Sequence, residues 1–405
     1  MKQPKKTFQL LITFILLIYY TILSISFGNA QTPSDSQCIL VNSQSREGHY
    51  TGVFSWSPDG MYIAATYDES VDNRILGSGI HVLDAQTFEI IFDVSRSILP
   101  NTDDLLIWSL DSRAVAVTSG HPYEILIWNV DDNTSEVIGL PDNTEIIEQV
   151  VWSSDGDQLA VVSHESPRLG EPEFRPAYII RIWDINTGEV IETSASNLDQ
   201  ALVTATENGW LLAVGVMDEA TIRLTTIDGT EVYDSIAATD IVDLLVTDND
   251  VFVVGFTFNE ENPFDSTLTV WNATTSQPLI IIKGESALVA SELQSSTYLI
   301  ARMSTLNWAI HRLSDGEPIL SSERTRFHLS PDNRYGIAVE LGQGGGVTYT
   351  PVLSASLLRL IDGQVLAIFP PSDIQATGVA WSPMGNSVVT RNFSGIALWM
   401  IVDCD

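Results

Sequence analysis

Beyond residue 50 the chain is punctuated at nearly even intervals by a short apolar run, a tight polar turn and a second run rich in Val, Ile, Leu and Ala. Phe54-Ser55-Trp56-Ser57-Pro58-Asp59-Gly60 leads into Tyr62-Ile63-Ala64-Ala65. The same order of events recurs at Ile107-Trp108-Ser109-Leu110-Asp111, Val151-Trp152-Ser153-Ser154-Asp155-Gly156, Leu329-Ser330-Pro331-Asp332-Asn333 and Ala380-Trp381-Ser382-Pro383-Met384-Gly385. These runs are too short for helices, and β-branched residues bounded by Gly, Pro and Asp predict strands buried on both faces. The turn chemistry agrees: Pro presets a dihedral, Asp bonds nearby backbone, and Gly accepts positive φ. A third strand closes each unit, as in Ile180-Arg181-Ile182-Trp183-Asp184 or Leu268-Thr269-Val270-Trp271-Asn272, with alternate positions facing inward.

Eight units can be counted, starting near residues 53, 105, 149, 202, 243, 287, 325 and 378, at a spacing of about 46 residues, close to the length of a four-stranded propeller blade. The fourth turns through Glu207-Asn208-Gly209 and the fifth through Asp248-Asn249-Asp250. The sixth, residues 287–315, is the most degraded, which leaves seven blades as the alternative count. Over roughly residues 38–405 the pattern resembles the WD40-repeat family, whose strand ending is matched by Ile182-Trp183-Asp184-Ile185-Asn186-Thr187-Gly188. The Ser-Pro-Asp-Gly turn is shared with TolB-like propeller repeats, and the Trp-Asp-x-x-Thr-Gly ending favours WD40. Only Gly48-His49 matches the family's Gly-His dipeptide in register, so the buried Asp, His, Ser and Trp network of such repeats can be complete in few blades.

The resemblance implies an all-β, WD40-like β-propeller over residues 49–405, with protein or peptide partners on the ring faces. In that register an N-terminal segment, residues 31–48, supplies its strand 38–42 as the outer strand of the last blade. Antiparallel pairing with the final strand then sets Cys38 beside Cys404, the only cysteines, as a disulfide.

Lys2, Lys5 and Lys6 precede an uncharged run from Phe8 to Phe27 that ends in Gly28-Asn29-Ala30, the plan of a secretory signal over residues 1–30. The run is also long enough to span a bilayer, so an uncleaved anchor is the rival, with residues 8–27 as its membrane contact. Either way residues 31–405 are expected outside the cytoplasm, secreted, periplasmic or anchored, where a disulfide persists. The 405 residues carry 19 Lys plus Arg against 52 Asp plus Glu, a net charge of -33, with 44% hydrophobic residues. That is a folding composition whose surface repels nucleic acid and anionic lipid.

The candidate chemistry is sparse. Eight of the ten tryptophans, at 56, 108, 128, 152, 183, 271, 381 and 399, fall at corresponding strand positions and read as core between blades. The histidines at 49, 81, 121, 164, 311 and 328 show no metal-ligand spacing, and His49 reads as a structural residue ahead of the first blade. Gly342-Gln343-Gly344-Gly345-Gly346 lacks the Lys-Ser or Lys-Thr of a phosphate loop, and no Gly-x-Ser-x-Gly elbow is present. No cofactor is expected. Four acidic clusters, Asp68-Glu69 with Asp72, Asp131-Asp132, Glu171 with Glu173, and Glu260-Glu261 with Asp265, read as solvated loops, with weak calcium binding as the sharper alternative. Asn133, Asn272 and Asn392 begin glycosylation sequons.

The odd units carry long connections between their second and third strands, at 68–78, 165–177, 259–266 and 341–351, and all must emerge at one end of the ring. Long loops on a rigid scaffold are where binding concentrates. Arg168, Phe174 and Arg175 in the second of these have the composition of a hot spot, and Glu260, Glu261, Phe264 and Asp265 add an acidic wall. The expected function is a protein-binding or scaffold module without catalysis, whose partner has a basic patch. The alternatives are a propeller hydrolase or lyase, or a carbohydrate- or ligand-binding propeller with its site at the central channel.

Overall fold

Every named strand of the computed structural model belongs to one of eight four-stranded antiparallel sheets. The structure describes residues 38–404, apart from 97–105, 119–123, 141–144, 166–177, 196–199, 217–219, 248–249, 258–265, 285–290, 294–296, 303–306, 343–351, 371–377 and positions 72, 73, 393 and 403. The inner strands are Tyr50–Trp56, Leu106–Trp108, Glu145–Trp152, Gln200–Thr206, Asp240–Val246, Ser291–Leu293, Thr325–Leu329 and Val379–Trp381. The degraded sixth unit is a full blade, with Tyr298–Arg302, Asn307–Arg312 and Pro318–Glu323 following its inner strand.

A sheet buried on both faces needs a neighbour on each, and the ring supplies them. Eight apolar clusters lie at the eight junctions between consecutive blades. The last of them joins Val389, Ile396 and Leu398 of blade 8 to Ile63, Ala65 and Leu83 of blade 1, so the ring is closed. Blade 8 takes its outer strand from the other end of the chain: Ile39–Glu47 pairs antiparallel with Gly395–Val402, from Ile39↔Val402 to Glu47↔Gly395. That strand is longer than the 38–42 read from sequence. Just beyond its first pair Cys38 and Cys404 are joined as a disulfide, with Cα atoms 4.5 Å apart.

Polar bonds also tie the inner strands of neighbouring blades together. The indole Nε1 of Trp108 donates to Ser55 O at 3.1 Å, Trp152 to Ile107 O at 3.3 Å, Trp381 to His328 O at 3.0 Å and Trp56 to Ala380 O at 3.1 Å. Each reaches the inner strand of the preceding blade. On the opposite side of the ring glutamine carboxamides do this work: Gln149 Oε1 accepts from Val203 N and Gln200 Oε1 from Ile241 N.

In blades 1, 2, 3 and 7 the turn after the inner strand is built on one serine. Ser57, Ser109, Ser153 and Ser330 each donate Oγ–H to the Asp two residues on at 2.6 Å and accept the backbone N–H five residues on at 2.9 to 3.0 Å. The residue after that Asp takes positive φ, as Gly60, Ser112, Gly156 or Asn333. In blade 8 Met384 replaces the Asp, and Ser382 Oγ turns to Asn386 Oδ1 at 3.1 Å.

One expected connection is not a loop. Residues 68–78 belong to an extended hairpin, in which Tyr62–Val71 pairs with Arg74–Asp84 through Asp68↔Ser78 and Glu69↔Gly77 up to Val71↔Arg74. Thr66, Tyr67 and Val71 sustain β structure well past the point where Asp68, Glu69 and Asp72 suggested a turn.

Candidate functional site

In an up-and-down blade the connections into each inner strand and those between second and third strands leave from one end of the ring, here the connection end. The serine turns and the turns into the outer strands occupy the opposite, turn end. Arg168, Phe174, Arg175, Glu260, Glu261, Phe264 and Asp265 all lie outside the described residues. The structure does describe the strand ends that launch their connections: Gln158–Glu165 and Tyr178–Asp184 in blade 3, Val251–Thr257 and Ser266–Asn272 in blade 5.

Blade 3 carries a concentration of buried polar chemistry at this end. Arg181, on the third strand, holds Glu145 at the start of the inner strand in a bidentate pair, Nη1 to Oε2 at 2.5 Å and Nη2 to Oε1 at 3.0 Å. Ser163 Oγ donates to the same Oε2 at 2.7 Å, and all three side chains are buried. The fork geometry of guanidinium and carboxylate lets one pair satisfy both charges, which isolation in the core would make costly.

On the opposite face of that sheet His164 is buried between two acceptors: Nε2 faces Glu148 Oε1 at 2.7 Å and Nδ1 faces Glu165 O at 2.8 Å. A carbonyl oxygen can only accept, so Nδ1 carries a proton, and an ionised Glu148 calls for one on Nε2 as well. The hydrogen bond to Glu148 accordingly raises the His164 pKa above its ordinary value, and the same bond holds the Glu148 carboxyl down. Glu148 itself is exposed, so this pair meets solvent while the Glu145 pair does not.

Blade 1 shows a second polar group. Tyr67 stacks on His81 with ring centroids 3.8 Å apart, Tyr50 Oη lies 3.2 Å from His81 Nδ1, and Tyr67 donates to Asp93 Oδ1 at 2.7 Å. His81 Nε2 sits 3.7 Å from Asp93 Oδ1, close enough to suggest an ion pair. Burial outweighs that attraction and lowers the His81 pKa to about 4, so the ring is neutral at pH 7. Nearer the axis, burial raises the Asp68 pKa, opposed by the charge of Arg391 on blade 8, and Asp68 Oδ1 is buried without a hydrogen-bond partner. Burial likewise raises the pKa of Asp240 at the start of blade 5.

The turn end has the opposite electrostatics. Asp84, Asp132, Asp155, Asp184, Asp228, Asp315 and Asp362 are all held below the ordinary carboxyl range, chiefly by hydrogen bonds from turn backbone, hydroxyl groups and, at Asp362, Arg359. Among the described residues the upward aspartate shifts fall at the connection end and the downward ones at the turn end.

Of the other candidates, Asp131 pairs with Arg113 Nε at 2.8 Å and Asp132 Oδ1 caps Thr134, so both serve the turn. No group of three or more His, Cys, Asp or Glu is gathered for a metal among the described residues. Asn272 is buried and donates Nδ2 to Asp250 Oδ1 at 2.7 Å, which removes it as a glycan acceptor in the folded chain. Glu145, Glu148 and His164 were not singled out as a site from sequence, whereas Asp68 was, as part of an acidic cluster. The available signal was Arg181, a charge set within the apolar strand Ile180-Arg181-Ile182, which demands a buried partner.

No protein-family model matches the sequence, and no curated protein matches it. Among solved structures the chain is similar to the computationally designed Ika8 protein, at 15% identity over 90% of this chain and 100% of that one, with a TM-score of 0.54. It is similar also to the C-terminal WD40 domain of Sif2, at 14% identity over 90% of this chain and 98% of that one, with a TM-score of 0.56. Likeness at such identity concerns the fold. With eight four-stranded blades closed into a ring and a solved WD40 domain similar over nine-tenths of its length, the chain has the fold of a WD40-like β-propeller.

Proposed function

We propose that this propeller is an exported protein-binding or scaffold module, without catalysis, that captures its partner at the connection end of the ring. The observation that carries the reading is blade 3. Its Glu145–Arg181–Ser163 group and its His164–Glu148 pair fix, from both faces of one sheet, the strand ends from which 166–177 departs. A rigid base under a long connection lowers the ordering cost of binding. Phe174 with Arg168 and Arg175 supplies the anchor, and the acidic wall of Glu260, Glu261 and Asp265 favours a protein or peptide with a basic patch. No cofactor enters this function.

The test is capture from the native envelope or medium by the immobilised ring, residues 31–405, compared with a variant in which 166–177 is replaced by a tight turn. Capture should fall while the melting temperature stays nearly unchanged, and capture by the intact ring should weaken with salt. Capture that survives both this replacement and the matching one at 258–265 would exclude the connection end.

A further inference from the structure

The turn end breaks its own pattern in four consecutive blades. Where the other serine turns place Asp59, Asp111, Asp155 or Asp332, blade 8 has Met384. Where they place Arg113, Asp157, Arg334 or Asn386, blade 1 has Met61. Where they place Pro58, Ser154, Pro331 or Pro383, blade 2 has Leu110. Blade 7 adds Ile361 in the turn into its outer strand. All four side chains are largely exposed: Met384 at 76%, Met61 at 57%, Leu110 at 61% and Ile361 at 77%.

The serine turns of blades 7, 8, 1 and 2 touch in sequence, and the turn bearing Ile361 is tied to that of blade 7 by Leu360 N, which donates to Arg334 O at 3.0 Å. A Cβ on Gly385 would lie 3.1 Å from the carboxyl of Asp332, one on Gly60 would lie 3.8 Å from Pro383 Cδ, and Asp59 N donates to Ser112 Oγ at 3.0 Å. Blades 7, 8, 1 and 2 therefore present one apolar arc, and no large exposed apolar side chain stands in the described turns of blades 3, 5 or 6.

The arc is set in negative charge. Arg113 is engaged with Asp131 at 2.8 Å, Arg359 with Asp362 at 2.7 Å and Arg334 with the Tyr335 hydroxyl at 3.1 Å. Asp59, Asp84, Asp132 and Asp332 have no basic partner among the described residues. An anionic bilayer is repelled by such a rim, and a second copy of this chain brings the same charge. We propose that the arc of Ile361, Met384, Met61 and Leu110 is a second docking surface, for a polypeptide segment whose apolar side chains are flanked by lysine or arginine. Unbranched methionine side chains adapt their shape to such a segment, and the carboxylates around them select its charge. This surface lies at the opposite end from the proposed capture site and does not depend on it.

The probe is a short amphipathic peptide of leucine and lysine, added to the ring labelled at its methionine and isoleucine methyl groups and followed by NMR. The Met61, Met384 and Ile361 methyls should shift, while those of Ile191 and Ile281 on the outer strands of blades 3 and 5 stay in place. Leucine–glutamate and serine–lysine peptides of equal length should leave all of them unmoved. Replacing Met61→Ser and Met384→Ser together should weaken the leucine–lysine peptide by about tenfold or more, with an unchanged melting temperature. The proposal is overturned if the acidic peptide binds as well, if shifts centre on Ile191 and Ile281, if the arc methyls shift on concentrating the protein alone, or if phosphatidylcholine vesicles perturb them in preference to the peptide. None of these outcomes touches the capture reading, which is tested by the connection at 166–177.

Discussion

Arg181 is the single side chain whose loss should be felt most. Both it and Glu145 are buried, so Arg181→Met leaves a carboxylate in the core and should cost about 3–5 kcal/mol in urea unfolding. Adding Glu145→Leu to that variant should recover much of the loss, because a buried pair replaced by apolar groups is close to neutral. The two paired histidines have opposite pH signatures. His81 has a folded pKa lowered from 6.5 to about 4, so the unfolded chain takes up its proton first and stability falls as pH drops from 6.5 toward 4. His164 has a raised pKa, so its contribution is complete below 6.5 and is lost as pH rises through the folded value. Melting temperature against pH should show both slopes, with His81→Gln flattening the acid one and His164→Gln the one above 6.5.

At the scale of the turn, one hydroxyl organises three polar groups. Ser153→Ala leaves Asp155 Oδ1 and Gln158 N without their shared partner and should cost about 1–2 kcal/mol, measured as a shift in denaturation midpoint. Ser382→Ala should cost less, since Met384 has removed the aspartate and the bond to Asn386 is longer. These turns were readable in the sequence because every residue in them acts locally, through a dihedral or a bond to neighbouring backbone. Blade count was readable for the same reason, even in the sixth unit, where strand lengths survived the loss of the turn residues. The Glu145–Arg181–Ser163 group was not, because its members stand 18 and 36 residues apart on three strands and no local rule connects them. The hairpin at 68–78 misled for a related reason: its acidic residues suggest a loop, and only the pairing of Asp68 with Ser78 shows a strand.

Over the whole ring, closure depends on a strand from the far end of the sequence, and Cys38–Cys404 links the two ends across a separation of 366 residues. Reduction should lower the unfolding free energy by up to about 5 kcal/mol, and thiol titration of the unfolded, non-reduced protein should find no free cysteine. The ring also has two electrically distinct ends. Aspartates at the turn end are held ionised by their own hydrogen bonds, while Asp68 and Asp240 at the connection end are destabilised as anions by burial. Capture at the connection end is the central claim, and site-specific photocrosslinking measures it most directly. Photoreactive residues at 168 and 264 should crosslink the captured protein, while the same residue at exposed Ile191 or Ile281 on the outer strands should not. Crosslinks at 191 and 281 with none at 168 or 264 would place capture on the rim and contradict the account.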